Sequence, residues 1–206
     1  MKRLAKLLTV LMAVWCVAMP SWAGVPESRI IEEEMLEALK DHCDGLMSQR
    51  LNAARNERWR DVFNMAKSYT SACRGSDDKF AISRAYEDMG WASMMLDDPR
   101  MGLVYVQQCV DGNPFAGGCY ARKTQILMSL GKNREAAATA WKGLARTERA
   151  ISMAKQQMAA MKKPDPRAEQ YWRTRYLRKR EELDTRISGL EESRRLLQDL
   201  NEGFEQ

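Results

Sequence analysis

The chain is poor in the residue patterns that carry chemistry. It holds a single histidine, His42, and no His-Glu-x-x-His, Cys-x-x-Cys, serine elbow or phosphate-cradling glycine loop appears anywhere. Metalloprotease, dithiol oxidoreductase, serine hydrolase and nucleotide-phosphate chemistries each need one of those spacings. His42 stands between Asp41 and Cys43. Side chains adjacent on a helix diverge by about 100°, so Cys43 and His42 do not form a nucleophile with its base. A surface histidine is expected instead. Carboxylates are abundant but scattered over charged helix faces, and the ligands of a metal site are missing. The expectations are no enzyme, no cofactor and no metal.

Strand alternation is also lacking, and beyond residue 23 so is any apolar run long enough to span a bilayer. The one long apolar stretch, Leu7 to Val17, lies at the N-terminus behind Lys2, Arg3 and Lys6. Pro20 follows, then Ser21-Trp22-Ala23, with small residues where a signal peptidase reads. Residues 1–23 therefore read as a cleavable export signal, cut after Ala23, and the expected location is periplasmic or secreted. A leader left uncut would tether the same protein to the membrane. Trp15 before Cys16 argues against lipidation of that cysteine.

The formal charge of +5 at first suggests nucleic acid as a partner. Three of the 33 basic residues lie in the leader, which leaves 30 against 28 acidic ones. An exported and nearly neutral chain does not fit that partner. The leader also removes Cys16, leaving Cys43, Cys73, Cys109 and Cys119. An even count in an oxidising compartment favours two disulfides, for which three pairings exist.

From Gly24 onward the pattern is helical. A first helix after Pro26 carries Ile30, Ile31, Met35, Leu36 and Leu39 on one face and continues to a polar break at Asn56-Glu57-Arg58. A second covers about 59–73, and a third ends at Leu96. Asp98-Pro99 opens a fourth as cap and first-turn proline, and Gly112-Asn113-Pro114 ends it. A fifth stops at Gly131, and Asn133 is expected to cap the sixth. Helices of about 15 residues joined by short turns make antiparallel hairpins.

Positions recur 34 residues apart: Tyr86 with Tyr120, Gly90 with Thr124, Gly102 with Ala136, Val106 with Ala140. Trp59, Val62, Ala66 and Tyr69 mark a preceding unit. This helix–turn–helix period resembles the tetratricopeptide repeat. Tyr86 stands at the family's aromatic, Gly90 at its interhelical glycine, Gly102 and Ala136 at its small position, and Pro114 at its closing proline. Thr124 replaces the glycine in the third unit, and Arg74 to Asp78 are extra residues between the first two. The resemblance implies three hairpins over about 43–146.

That register selects the disulfides. Cys43 opens the first hairpin and Cys73 closes it, while Cys109 and Cys119 flank a short turn, so the expected pairs are 43–73 and 109–119. Exported Sel1-like repeat proteins staple helical hairpins in a similar way.

After the repeats, Ile151, Ala154, Met158 and Met161 continue the sixth helix as a coiled-coil seam. Pro164-Asp165-Pro166 turns the chain. Tyr176, Leu183, Leu190, Leu197 and Phe204 then recur every seven residues on a last helix, with Ile187 beside them. The expected fold is all-α: a repeat solenoid over 24–146, then an antiparallel coiled-coil hairpin over 147–206. The same seam could instead pair two copies of the chain. Trp172 and Tyr176 are expected on the seam, with the surrounding arginines of 171–180 solvated.

The repeat resemblance further implies a groove lined by the first helix of each unit. Carried onto this chain, the lining is Arg84, Glu87, Trp91, Met94 and Met95, then Ala121, Gln125 and Met128. Glu87, Trp91 and Ala121 do not supply a clamp for a C-terminal carboxylate. The function expected is an adaptor or scaffold binding protein partners in the bacterial cell envelope. The alternatives are a periplasmic holdase chaperone or an envelope-surface, polyanion-binding protein.

Overall fold

The computed structural model describes residues 27–74, 79–167 and 169–205, so the proposed export signal lies outside the described residues. Among those residues there are seven helices and no strand: α1 Glu27–Arg55, α2 Trp59–Ala72, α3 Lys79–Met95, α4 Pro99–Gly112, α5 Gly117–Ser129, α6 Asn133–Ala160 and α7 Gln170–Glu205. None of them is long and apolar enough to cross a membrane. The chain divides into two compact units, Met1–Leu39 and Lys40–Gln206. Within the first, the helix exposes Met35 and Leu36. The second is the repeat array with its hairpin.

Three hairpins are closed by one and the same turn. Among the described residues, Glu57, Asp97 and Gly131 are those with positive φ, at 54°, 63° and 69°. Around each, two backbone bonds repeat. Arg58, Asp98 and Lys132 donate their N–H to the carbonyls of Ala53, Ser93 and Leu127, each at 2.9 Å. Glu57, Asp97 and Gly131 donate to Ala54, Met94 and Met128 at 3.1, 3.1 and 2.9 Å. This is the Schellman closure, which satisfies the last carbonyls of a helix while reversing the chain. The turns are spaced 40 and then 34 residues apart; α2 and α4 are both 14 residues long, whereas α3 has 17 residues against 13 in α5, so the longer first spacing is taken up by the junction before α3 and by the start of α3 itself.

The turn also corrects one expected cap. Asn133 is already the first residue of α6, and Lys132 precedes it without a side-chain cap bond. Lys132 is committed to that place because its own N–H closes the turn. In α4 the expected cap holds, with Asp98 Oδ1 accepting from the Met101 N–H at 3.0 Å and Pro99 in the first turn.

Five residues after each turn stand Val62, Gly102 and Ala136, and nine after it Ala66, Val106 and Ala140, all buried. They let the paired helices approach closely. A Cβ on Gly102 would lie 2.7 Å from the Gly90 carbonyl, which requires glycine there. Thr124 takes the place of Gly90 in the third unit and returns its hydroxyl to the Tyr120 carbonyl at 2.9 Å. In the first unit the matching position is Arg50, buried to 1% exposure and paired through Nε with Asp88 Oδ2 at 3.1 Å.

The cysteines meet as the hairpin register requires. Cys43 joins Cys73 within the first hairpin, and Cys109 joins Cys119 across the next junction, with Cα atoms 6.1 and 5.8 Å apart. Both pairs sit in the core, the first with Ala66, Tyr69 and Ala85, the second with Val110, Tyr120 and Ala140.

The α6–α7 hairpin is antiparallel and its heptad residues are inside: Ile151 and Ala154 on α6, Leu183, Ile187, Leu190 and Leu197 on α7. Lys155 and Glu191 pair across it at 2.8 Å. Its C-terminal half does more than the heptads imply. Leu197 enters the core beside Cys109, Tyr120 and Ala140, with Leu196, Leu200 and Phe204 packed around it. The end of α7 thus lies on α5 and α6 as the first helix of a further unit would, and it closes the array.

At the other end the seam runs out. Trp172 was expected on it, yet the ring is 52% exposed. Tyr176 already faces Met158 and Met161, and α6 ends at Ala160. One turn further out, Trp172 has no opposing helix to cover it.

Candidate functional site

The expected groove residues come from α3 and α5, which lie side by side. Arg84, Trp91, Met94 and Met95 line α3 with atoms open to solvent, as do Gln125 and Met128 on α5. Met95 and Met128 are 42% and 41% exposed. Met94 and Met95 follow Trp91 by three and four residues, and Met128 follows Gln125 by three. Each therefore stands one turn further along the same side of its helix.

Two of the lining residues are interior. Ala121 is fully buried, and Glu87 is enclosed where α3 meets the first turn of α5. A Cβ on Gly118 would lie 2.7 Å from Glu87 Oε2, and one on Gly117 would lie 2.8 Å from Ser193 Cβ. Two successive glycines thus let α3 and α7 both reach the start of α5. Phe80, Ser83, Arg84 and Glu87 form one wall of a small cavity there, and Gly189, Leu190 and Ser193 of α7 form the other. The repeat resemblance assigned Glu87 to the lining, and nothing in the heptads of α7 says that the helix returns to this place.

The electrostatics follow from that enclosure. Burial lifts the Glu87 carboxyl above the ordinary carboxylate range, and Arg84 and then Arg122 oppose the rise. Their guanidinium nitrogens stand 3.9 and 3.8 Å from its oxygens, close enough for attraction but not for short hydrogen bonds. Asp88 is raised by burial as well, against Arg50 and then Arg84.

Arg122 is the residue that sequence reasoning missed. Its guanidinium lies 4.0 Å from the centre of the Trp91 ring, and its Nη1 donates to Gln125 Oε1 at 3.0 Å. One side chain therefore joins Glu87, Trp91 and Gln125. The available signal was its place three residues before Gln125, one helical turn away on α5. A cation over an indole face contributes about 0.5–2 kcal/mol. Here it fixes a partly buried indole between two helices. Among the described residues no group of histidine, cysteine and carboxylate side chains is placed to hold a metal ion.

No protein-family model matches the chain, and no curated protein matches it. Among solved structures, the crystal structure of MamA superposes with a TM-score of 0.46 at 16% sequence identity, over 78% of this chain and 83% of that one.

Proposed function

We propose that this chain is an exported helical-repeat adaptor of the bacterial cell envelope that binds a protein partner on the α3–α5 face. The observation that carries the reading is the indole of Trp91, held under Arg122 at 4.0 Å with methionines beside it. An aromatic ring fixed before binding loses little conformational freedom on association, and such rings dominate interface energetics. Neighbouring thioethers adapt to the rest of an apolar partner. The two cysteine pairs suit an oxidising compartment, which supports export. N-terminal sequencing of the secreted or periplasmic form tests the leader, with Gly24 expected first.

The partner test is affinity purification from the native envelope. One or two defined proteins should be captured by the wild type and lost with Trp91→Ala, while circular dichroism shows the variant still folded at the temperature of capture. Capture that survives Trp91→Ala would exclude this face. Equal suppression of aggregation for several unrelated clients would favour a holdase instead.

A further inference from the structure

The α6–α7 hairpin segregates its charges. Residues 162–180, around its turn, hold eight basic and two acidic residues, whereas residues 181–205 hold eight acidic and three basic ones. A helix that merely keeps itself solvated interleaves the two signs, so that partners four apart pair along it. Here all eight tip cations are exposed. Of these eight, as far as the described residues show, Lys179 alone has a carboxylate within 4.0 Å, that of Glu182 at 3.0 Å.

The same tip carries apolar surface. Tyr171, Trp172 and Leu177 are 62%, 52% and 63% exposed. Trp172 is bare because α7 begins beyond the end of α6, and Arg175 lies 5.7 Å from its ring centre. The Tyr171 ring meets it edge-on, at 77° and 5.2 Å between centres.

We infer that the hairpin tip is a docking surface for an anionic lipid bilayer, distinct from the α3–α5 face. Clustered cations are drawn to anionic headgroups, each strengthening binding about fivefold within a Debye length. Tyrosine and tryptophan settle at headgroup depth, where the ring is dehydrated and its polar edge stays wet. The acidic block from Glu181 onward is repelled by the same surface, so only the end of the hairpin makes contact. A single-stranded nucleic acid fits less well. It needs successive rings presented as parallel stacking platforms, and these two rings stand nearly perpendicular.

The test is co-sedimentation of the full chain with vesicles of phosphatidylglycerol and phosphatidylethanolamine, against vesicles of phosphatidylcholine alone, at low and high salt. Tryptophan emission is read in parallel. Anionic vesicles should recruit the protein, and salt should release it. Arg175→Gln with Arg178→Gln should lower the partition coefficient about thirtyfold while the circular-dichroism melt stays unchanged. Trp172→Ala should retain the salt dependence and lose most of the blue shift on binding. Every variant carries the same leader, so differences among them read the tip. Equal recruitment to neutral and anionic vesicles would overturn the inference. So would an unchanged partition coefficient in the double variant, or tighter binding to a single-stranded oligonucleotide than to the anionic vesicles.

Discussion

Three turns of one geometry, only one of which uses glycine, set up an internal experiment. Glu57 and Asp97 occupy the left-handed region at φ 54° and 63°, where Gly131 stands in the third hairpin at 69°. That conformation costs an L-residue about 1–2 kcal/mol. Glycine avoids the cost but loses about 0.5–1 kcal/mol more backbone entropy on folding. Glu57→Gly and Asp97→Gly should therefore each stabilise the fold by about 0.5–1 kcal/mol. The two turns close different hairpins, so the effects should add. At about 2–4 °C per kcal/mol for a chain of this size, the double variant should melt about 2–8 °C higher. Gly131→Ala is the converse. A Cβ at Gly131 meets no atom within 4 Å, so its loss, about 0.5–1 kcal/mol from the same two terms, is conformational and not steric. Thermal melts followed at 222 nm, with urea melts for the free energies, give all four values. If Asp97→Gly lowers stability while Gly131→Ala leaves it unchanged, the three turns are not equivalent and the reasoning fails.

Further outcomes follow from the core and the charge cluster. Replacing Cys43 and Cys73 by alanine opens a loop of 30 residues and should cost about 3–4 kcal/mol; replacing Cys109 and Cys119 opens one of 10 and should cost about 2–3. Mass mapping of non-reduced peptides checks the pairing itself, and a Cys43–Cys109 link would contradict it. Leu197→Ala should cost about 2–5 kcal/mol, although it lies in the hairpin's second helix, because its side chain is fully buried against the repeat core. Burial keeps the Glu87 proton on the folded protein at pH values where the unfolded chain has lost it, so stability falls as pH rises from the ordinary carboxylate value toward the raised one. Glu87→Gln should remove that fall. Urea melts from acid to neutral pH should show the variant's advantage growing with pH, and an advantage that shrinks would reverse the assignment.

Much of the architecture was legible because its signals are local. Asp98-Pro99 opens a helix, Gly131 closes one, and a 34-residue recurrence of small residues gives the hairpin contacts. The cysteine pairs followed from the same register. What was missed depends on which helix ends where. A heptad repeat tells that Trp172 lies on the seam side of α7, but not that α6 stops at Ala160 before reaching it. The repeat resemblance placed Glu87 on an open lining. Its enclosure comes from Gly117, Gly118 and Ser193, brought there by a helix that returns from a distant turn. Arg122 escaped notice because a lone arginine on a charged helix looks like a solvated one until an indole is found beneath it.

The cysteine pairing has a consequence for how the molecule is made. The two bridges are sequential and unnested: the first closes over residues 43–73 before the second, over 109–119, begins. A chain emerging N-terminus first into an oxidant presents its thiols in that order. With Cys16 set apart in the proposed leader, Cys43 then meets Cys73, and Cys109 meets Cys119, as the next thiol to appear. For a chain exported as proposed, oxidation in order of emergence gives the correct pattern without disulfide shuffling.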